Sequence, residues 1–595
     1  MRYIDEKFKE NPPGETVDRL KRILGSIGIE TVVRSFPSGI ENCHSVRVSA
    51  KTGFPGQNGK GVTEEFALAS GYAEFAERLQ CGLFYTKFPT FENDPSVCIH
   101  SFAPDARMMT KEELIREGDW MDQLILSYGH GLTKEKIASL CELYAGSEKI
   151  LSLPFYSLFE DKYYYIPTAF ISQIYGTNGC CAGNSRNEAW VHALSEMLER
   201  NFRRKTLKEG KPLPEIPDSV LSRYGTVSKI ISEIRSTEHL DVRVFDCSHG
   251  CGIPVIASML TDKRAHGYIL NTGADPVFEI ALERTLTEAL QGRNIGSFGN
   301  ECVPVGDGRK DDSAANIFNL LESSRGTYPV SFFTDSEEDF KDDFDDNSTL
   351  TNRELLEKML AFYKNEGKRL FVRNCSFLGF DTYYFISPGF SEALPEKLTE
   401  SIPGYYFSAD AARAMRDLSA ADTERLQNLM TDCALSAPYM TRNLSFPRLA
   451  GLPLSDINKT YEAAIHYAYA AWKLEDTGKL LHFLDIARKT ADREKEYTEA
   501  LWQYFTFIRI AGTDSDTALS VIEKFYPNAV VDRLKRGLKE NDPFEGMILH
   551  CDTRSCENCR MKEHCSYGYI RKMTAAAGEK YRVFTDGQKR ENFIP

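Results

Sequence analysis

Three short runs of this chain carry acids and cations at spacings that a helix would bring onto one face. In the first, Ser70, Glu74 and Glu77 stand at i, i+4 and i+7, with Arg78 beside them. In the second, at about 100° per residue, Glu188, His192, Glu196 and Glu199 fall within about 80° of one another, with Arg200 just beyond. Trp190, Leu194, Met197 and Leu198 take the opposite side of that helix. In the third, Arg284, Glu288 and Gln291 share a face about 60° wide.

Taken singly, each acid reads as surface charge, and Glu188 also reads as the return partner of a capping box with Ser185. Taken jointly they do not suit a solvated face. Such a face usually mixes signs, because like charges at i,i+4 cost roughly a few tenths of a kcal/mol. Carboxylates gathered this way suit a hard cation, and Mg²⁺ takes oxygen ligands and bridges nucleotide phosphates. Arg78, Arg200 and Arg284 would then clamp phosphate oxygens. Neither a G-x-x-x-x-G-K-[ST] loop nor a protein-kinase signature set occurs, so a nucleotide site here is of another kind.

A second cluster lies near the C-terminus: Cys551, Cys556, Cys559 and Cys565, with His550 and His564 adjacent. Four thiols at this spacing are suited to Zn²⁺ or a [4Fe–4S] cluster, catalytic or purely structural. The other cysteines, Cys180 and Cys181 among them, read as small buried hydrophobes.

Composition bounds the rest. Of 595 residues, 42% are hydrophobic and 27% charged, which excludes a largely disordered chain. The formal net charge of −14 argues against direct binding to nucleic acid, which depends on neutralising phosphates, and against an anionic membrane surface. Met1 to Lys7 hold no apolar run of a secretory signal, and no stretch approaches the ~20 apolar residues of a membrane span. The expectation is a cytoplasmic protein that does not engage a membrane.

The elements that must position the three runs can be read in outline. A helix over 15–29 precedes strands at 30–34 and 45–49, and the Gly-rich stretch 52–61 reads as a loop. A helix over 63–81 follows, with Thr63 as N-cap. The aromatic run 162–175 predicts a strand pair broken at Pro167. The small-residue stretch 177–184 predicts a loop, and 186–208 a long helix opened by the Ser185/Glu188 capping box. Strands at 242–246, 254–260 and 266–271 lead to a third helix reaching about 293, with Asp275 as N-cap and Pro276 in its first turn. The acidic stretch 335–346 reads as an exposed loop, and 353–400 as one helix and two strands. Beyond about 403 the pattern is helix after helix, at 457–474, 477–490, 493–511 and 514–524, suggesting a tetratricopeptide-like array.

Three blocks carry a resemblance. They are Asn58 to Arg78, which holds S-x-x-x-E-x-x-E-R; Thr177 to Glu188 continuing through Ser195 to Arg200; and Gly273 to Arg293. In these blocks, and in their order, the sequence resembles the YcaO family. It is most similar to the branch of accessory factors for methylthiolation of a small-subunit ribosomal protein, which carry a C-terminal helical, tetratricopeptide-like domain.

The resemblance implies an α+β fold: a YcaO-type ATP- and Mg²⁺-binding body with mixed sheets and long helices over 1–402, its motifs within 58–293. An α-helical tetratricopeptide-like domain over 403–545 and a Cys-rich tail over 546–595 would follow. The chemistry implied is ATP-dependent activation of a peptide backbone amide: a nucleophile adds to the amide carbon, and the amide oxygen is phosphorylated and leaves. Carried over by motif, Glu74, Glu77, Glu188, Glu196 and Glu199 would hold Mg²⁺. Lys9, Thr16, Ser70, Arg78, Asn184, Arg200, Arg284 and Gln291 would contact ATP, and Glu199, Arg200 and Glu288 would serve the chemical step. The partners implied are a protein or peptide substrate, a ribosomal protein or a methylthiotransferase, and a second copy of the chain in a homodimer.

One departure stands out. The azoline-forming members end in a Pro-rich tail, whereas this chain ends Glu591-Asn592-Phe593-Ile594-Pro595. Two other readings therefore stand beside the amide-activating enzyme: a nucleotide-binding adaptor without its own chemistry, and a peptide azoline or thioamide synthetase working with a partner.

Overall fold

The computed structural model describes residues 8–53, 55–84, 98–129, 131–305, 308–311, 313–395, 398, 409–440, 445–454, 457–551, 556, 559–585 and 587–593. The chain divides into two compact units, Met1–Thr86 with Pro95–Glu400 and Lys572–Pro595, and Lys87–Asp94 with Ser401–Arg571. The expected boundary at 402–403 lies outside the described residues. Among the described residues no helix is long and apolar enough to cross a membrane.

The first unit mixes sheets and helices. Helix α1 (Pro13–Ser26) leads into strands β1 (Thr31–Pro37), β2 (His44–Ala50) and β3 (Gly56–Gly61), which form an antiparallel sheet in that order. Helix α2 (Glu64–Gln80) follows, with the Thr63 side chain accepting from the Phe66 N–H. Next come β4 (Arg107–Met109), β5 (Ile150–Ser157), β6 (Lys162–Pro167), helix α3 (Thr168–Ile174), β7 (Cys180–Gly183) and helix α4 (Arg186–Glu209). Strands β8 (Leu240–Asp246), β9 (Val255–Asp262) and β10 (Gly267–Ala274) precede helix α5 (Phe278–Ala289), β11 (Val303–Pro304), helix α6 (Ala314–Ser323) and helix α7 (Asn352–Asn365). Strands β12 (Phe371–Asn374) and β13 (Asp381–Ile386) complete a sheet ordered β4-β5-β12-β13-β7, with β6 paired to β5. A third sheet runs β11-β10-β9-β8.

One local device recurs three times. Each helix that carries a charged run follows a strand whose glycine presses against that helix. A Cβ on Gly59 of β3 would fall 2.1 Å from the Ala67 carbonyl oxygen and 2.3 Å from the Gly71 nitrogen of α2. One on Gly183 of β7 would fall 2.8 Å from the Ala189 nitrogen of α4, and one on Gly273 of β10 2.6 Å from the Thr285 nitrogen of α5. Only a residue without a side chain permits backbones this close. The strands thus fix the height of each helix, and with it the acids on its exposed face.

Burial fixes the rotation. Trp190, Leu194, Met197 and Leu198 of α4 are fully buried, worth roughly 2 kcal/mol each in area removed from water. Trp190 meets Tyr383 and Phe385 of β13 edge-on, with ring centroids 5.6 and 5.0 Å apart. The opposite face, carrying Glu196 and Glu199, is left to line a cavity.

Several expectations need correction. The stretches 52–61 and 177–184 are not simply loops, since each contains a strand: β3 pairs with β2 just before it, and β7 with the distant β13. The run after Pro167 is helix α3, because Pro167 closes β6 and opens the helix. Ser185 caps α4 by accepting the Glu188 N–H at 3.3 Å, but the box is not reciprocal: the Glu188 carboxylate accepts from Lys9 and from the Glu10 N–H instead. Helix α5 begins at Phe278 and ends at Ala289, so Asp275 bonds the Val277 N–H ahead of it and Gln291 and Arg293 lie past its end.

The second unit is helical. Helices α8 (Lys459–Lys473), α9 (Thr477–Thr490), α10 (Lys495–Arg509) and α11 (Ser515–Ile522) follow the sequence pattern closely. Asn458, Asp476 and Asp514 cap α8, α9 and α11 by accepting a first-turn N–H. Their core includes Tyr461, Ile465, Tyr467, Leu484 and Leu501.

The four C-terminal thiols are all described, yet among the described residues no group of three or more His, Cys, Asp or Glu side chains is placed to hold a metal ion. The expectation of Zn²⁺ or a [4Fe–4S] cluster is therefore unsupported. Cys551, Cys559 and Cys565 pack against the helical core as half-buried thiols, the Cys559 sulfur accepts the Met561 N–H at 3.4 Å, and burial pushes the Cys565 thiol up to about 11.

Candidate functional site

A cavity of about 520 Å³ opens among α1, β3, α2, β7, α4 and α5, in the range that holds a small-molecule ligand. It is built from far-separated stretches of chain. Lys9, Thr16, Ser70, Glu74, Glu77, Arg78, Asn184, Glu188, Glu196, Glu199, Arg200, Arg284, Glu288 and Gln291 all line it. The structure therefore brings together every residue singled out for ATP, Mg²⁺ or chemistry, and leaves the four C-terminal cysteines out.

The charges are held in pairs. Arg78 bonds Glu77 and reaches Glu74 at 3.1 Å. Arg200 Nε bonds Glu196 at 2.9 Å. Arg284 lies 3.8 Å from Glu199, which also accepts from Thr272 at 3.3 Å. At one end, Glu188 takes Lys9 at 3.3 Å, the Glu10 N–H at 3.0 Å and the Asn184 amide at 3.4 Å. Thr16 donates to Asn184 at 2.9 Å.

Several residues of the cavity were given no part in a site by the sequence reading, among them Lys60, His192 and Asp275, the last expected only as an N-cap. Lys60, on β3, forms an ion pair with Glu288, and its backbone N–H points at Ser70 Oγ, 3.5 Å away. His192 faces Arg284, with 3.0 Å between Nδ1 and Nη1. Asp275 lines the wall ahead of α5. Lys60, a single lysine between Gly59 and Gly61, gave no periodic signal. The signal for His192 was its angle on α4.

Burial shifts the charges. Glu77 is 5% exposed, and burial pushes its carboxyl up to about 8 against the pull of Arg78. Burial, with Arg284 nearby, brings Lys60 down to about 8. Burial and the surrounding cations hold His192 well below its usual value, so it is neutral and accepts from Arg284. Burial raises Asp275 to about 6. Burial opposes the charge of Arg200, but Glu196 and Glu199 together outweigh it and raise its pKa, so the guanidinium stays ionised.

The donor types fit a hard divalent cation, since several carboxylates and no thiol are among the residues lining the cavity, although among the described residues no three of them now converge to hold one. In this structure those carboxylates face arginine and lysine, so a cation would have to exchange with the cationic side chains they now hold.

Residues 58–391 match the family model described as YcaO cyclodehydratase, ATP- and Mg²⁺-binding. The ribosomal protein S12 methylthiotransferase accessory factor YcaO of Escherichia coli K12 is 31% identical over 392 residues, covering 64% of this chain and 65% of that protein. The chain thus matches about two thirds of that curated relative's length, 65%. Among solved structures, a heterocyclase in complex with substrate and cofactor is similar, with a TM-score of 0.45 and 18% identity over 66% of this chain and 56% of the other. YcaO from Methanopyrus kandleri bound with AMPPCP and Mg²⁺ gives a TM-score of 0.43 and 16% identity over 65% and 94%.

Proposed function

This chain belongs to the YcaO family, and we propose that it is a Mg²⁺-dependent enzyme that uses ATP to activate a backbone amide of a protein or peptide by phosphorylating its oxygen. The observation that supports this most is the convergence of the three charged helices on one cavity, with Arg78, Arg200 and Arg284 each set beside a carboxylate.

Mg²⁺, when bound, would offset the charge of nucleotide phosphates, held by oxygens of Glu74, Glu77, Glu188, Glu196 and Glu199. The chain's own residues do the positioning. Arg78, Arg200 and Arg284 hold phosphate oxygens, and His192, neutral, keeps the Arg284 guanidinium aimed by accepting one of its N–H groups. Lys9 and Asn184 both donate to Glu188, and Thr16 donates to Asn184, so these residues form a bonded chain that carries the nucleotide's contacts at the α1 end. Lys60 holds a proton at Nζ against Glu288, within reach of the charge that develops on transfer. The substrate amide would belong to a protein partner, such as a ribosomal protein, and the working unit would be a homodimer.

Glu199→Gln and Arg200→Ala test the assignment. Both should fold and lose ADP release from ATP; turnover at the parental rate in either variant would sink it. A second reading is favoured by the E. coli relative, whose name is that of an accessory factor. Here the cavity binds nucleotide without turning it over, and the helical second unit meets a methylthiotransferase or its ribosomal substrate. Titration showing ATP bound, with no ADP released on incubation with the candidate partners, would decide for that reading.

A further inference from the structure

Two arginines of the cavity differ from the rest. Arg78, Arg200 and Arg284 each face an acid, as does Lys60. Arg203 and Arg293 also line the cavity, yet among the described residues neither forms an ion pair.

Arg203 lies one helical turn beyond Arg200 on α4 and is 5% exposed. Its Nη2 donates to the Leu270 carbonyl at 3.1 Å and the neutral Tyr328 hydroxyl lies within hydrogen-bonding reach of the guanidinium, but its buried Nε has no acceptor. The acid whose charge reaches it, Glu199, is engaged by Arg284 and Thr272. Arg293 donates only to carbonyls, of Ala289 at 3.0 Å, Glu288 at 3.5 Å and Ser323 at 2.8 Å. Its nearby acid, Glu301, is held by Arg325. Burial first, then Arg325 and Arg203, push the pKa of Arg293 down.

The wall beside them is short of acceptors too. Ser324 lines the same end with its backbone in the left-handed region, at φ 61°, and its hydroxyl bonds Asn271 Oδ1 at 2.5 Å. Asn271 is fully buried, and its Nδ2 has no acceptor. A buried cation without a counter-charge is costly, and orphaned buried donors in a native fold need a reason. A ligand acceptor supplies one for Arg203, which lines the cavity; Asn271 lies behind the lining and is reached only through Ser324.

We propose that Arg203 and Arg293, backed by Ser324, form an oxyanion subsite at this end of the cavity, which takes a phosphate or carboxylate group. The carboxylate-lined part of the cavity suits an anion that brings its own divalent cation. This end carries two uncompensated guanidiniums and suits a bare oxyanion, either on a second substrate or at the end of the nucleotide. A second-substrate anion goes beyond the nucleotide reading and a terminal phosphate deepens it; the test uses no catalysis, so a failure of the subsite leaves the proposed activity standing.

The probe is inorganic phosphate, titrated calorimetrically into the full chain with and without saturating AMPPCP and Mg²⁺. Wild type should bind phosphate, and Arg293→Gln and Arg203→Gln should each weaken it about tenfold or more. Binding that persists beside the analogue assigns the subsite to a second substrate. Binding that the analogue excludes, with both variants also weakening the analogue, assigns it to the nucleotide's terminal phosphate. No phosphate binding by wild type, or unchanged binding in a folded variant, overturns the subsite. Should Arg203→Gln fail to fold, Arg293→Gln decides alone, because its contacts are backbone carbonyls at a half-exposed helix end.

Discussion

Glu77 gives the sharpest test of how this cavity handles a cation. Its carboxyl is 5% exposed. The groups around it are Glu74 and Arg78 on α2, Cys81 just past its end, Glu196 on α4, and Cys180 and Cys181 on β7. Burial pushes it up to about 8; Arg78 pulls down, while Glu74 and Glu196 push further up. Mg²⁺ takes the ionised carboxylate, so a proton must leave as the cation enters. With a pKa near 8, about one tenth of the groups are ionised at pH 7, which costs about 1.4 kcal/mol, or about tenfold in affinity. Affinity should fall about another tenfold from pH 7 to 6 and level off above about pH 9. Calorimetry in two buffers of different ionisation enthalpy counts the protons: close to ~1 released per Mg²⁺ at pH 7 and close to ~0 at pH 9. Lys60 titrates in the same window, so the count is repeated in Lys60→Met, where it should persist, and in Glu77→Gln, where it should vanish. A count of zero in the parent at pH 7, or an unchanged count in Glu77→Gln, refutes the reasoning.

Three further outcomes follow from the same geometry. Gly59→Ala places a methyl 2.1 Å from the Ala67 carbonyl and should lower stability by about 2–4 kcal/mol, seen in denaturant unfolding; an unchanged midpoint would count against the close packing of β3 on α2. His192→Ala removes the acceptor of Arg284 and should weaken AMPPCP binding about tenfold, whereas His192→Gln, which keeps an acceptor, should recover most of it; equal loss in both variants would remove the positioning role. Arg373, 1% exposed, bonds Asp105 at 2.8 Å and the Tyr581 hydroxyl at 2.8 Å. Arg373→Met should cost about 2–3 kcal/mol, reduced because Asp105 is 27% exposed and can rehydrate, and a loss below about 1 kcal/mol in unfolding would show the pair to be idle.

Long helices were legible because their caps and periodicity are local. Thr63 caps α2 as the sequence suggests, and 477–490 marks α9 to the residue. β3 and β7 were not legible. Glycine and alanine have low strand propensity, and these strands exist because Lys60 pairs with Ser45 and Cys181 with Tyr383. The second of these pairings spans some two hundred residues. The same distance hid the fate of Glu188, whose carboxylate is drawn from its local cap by Lys9 and the Glu10 N–H. Of the cavity, the acids were legible as a face of each helix. Lys60 was not, because a single lysine in a strand carries no periodic signal. Arg203 and Arg293 were passed over because only the structure shows that neither has an acid for a partner.

The pairing itself has a consequence for the proposed chemistry. Each carboxylate proposed for Mg²⁺ on α2 and α4 is held by a cation of the chain, mostly by an arginine proposed for phosphate. The arginines thus keep the acids tolerable while no divalent cation is present, and the acids keep the arginines in place. Bringing Mg²⁺ to Glu74, Glu196 or Glu199 frees a guanidinium, whereas at Glu77 it displaces a proton, and bringing phosphate to the guanidinium frees a carboxylate. Either ligand alone must break an ion pair and leave one partner buried without a counter-charge. The two together exchange every pair for a new one. Cation and nucleotide are therefore coupled through the chain as well as through their direct contact. That coupling comes from three helices held by Gly59, Gly183 and Gly273 at heights where their side chains meet.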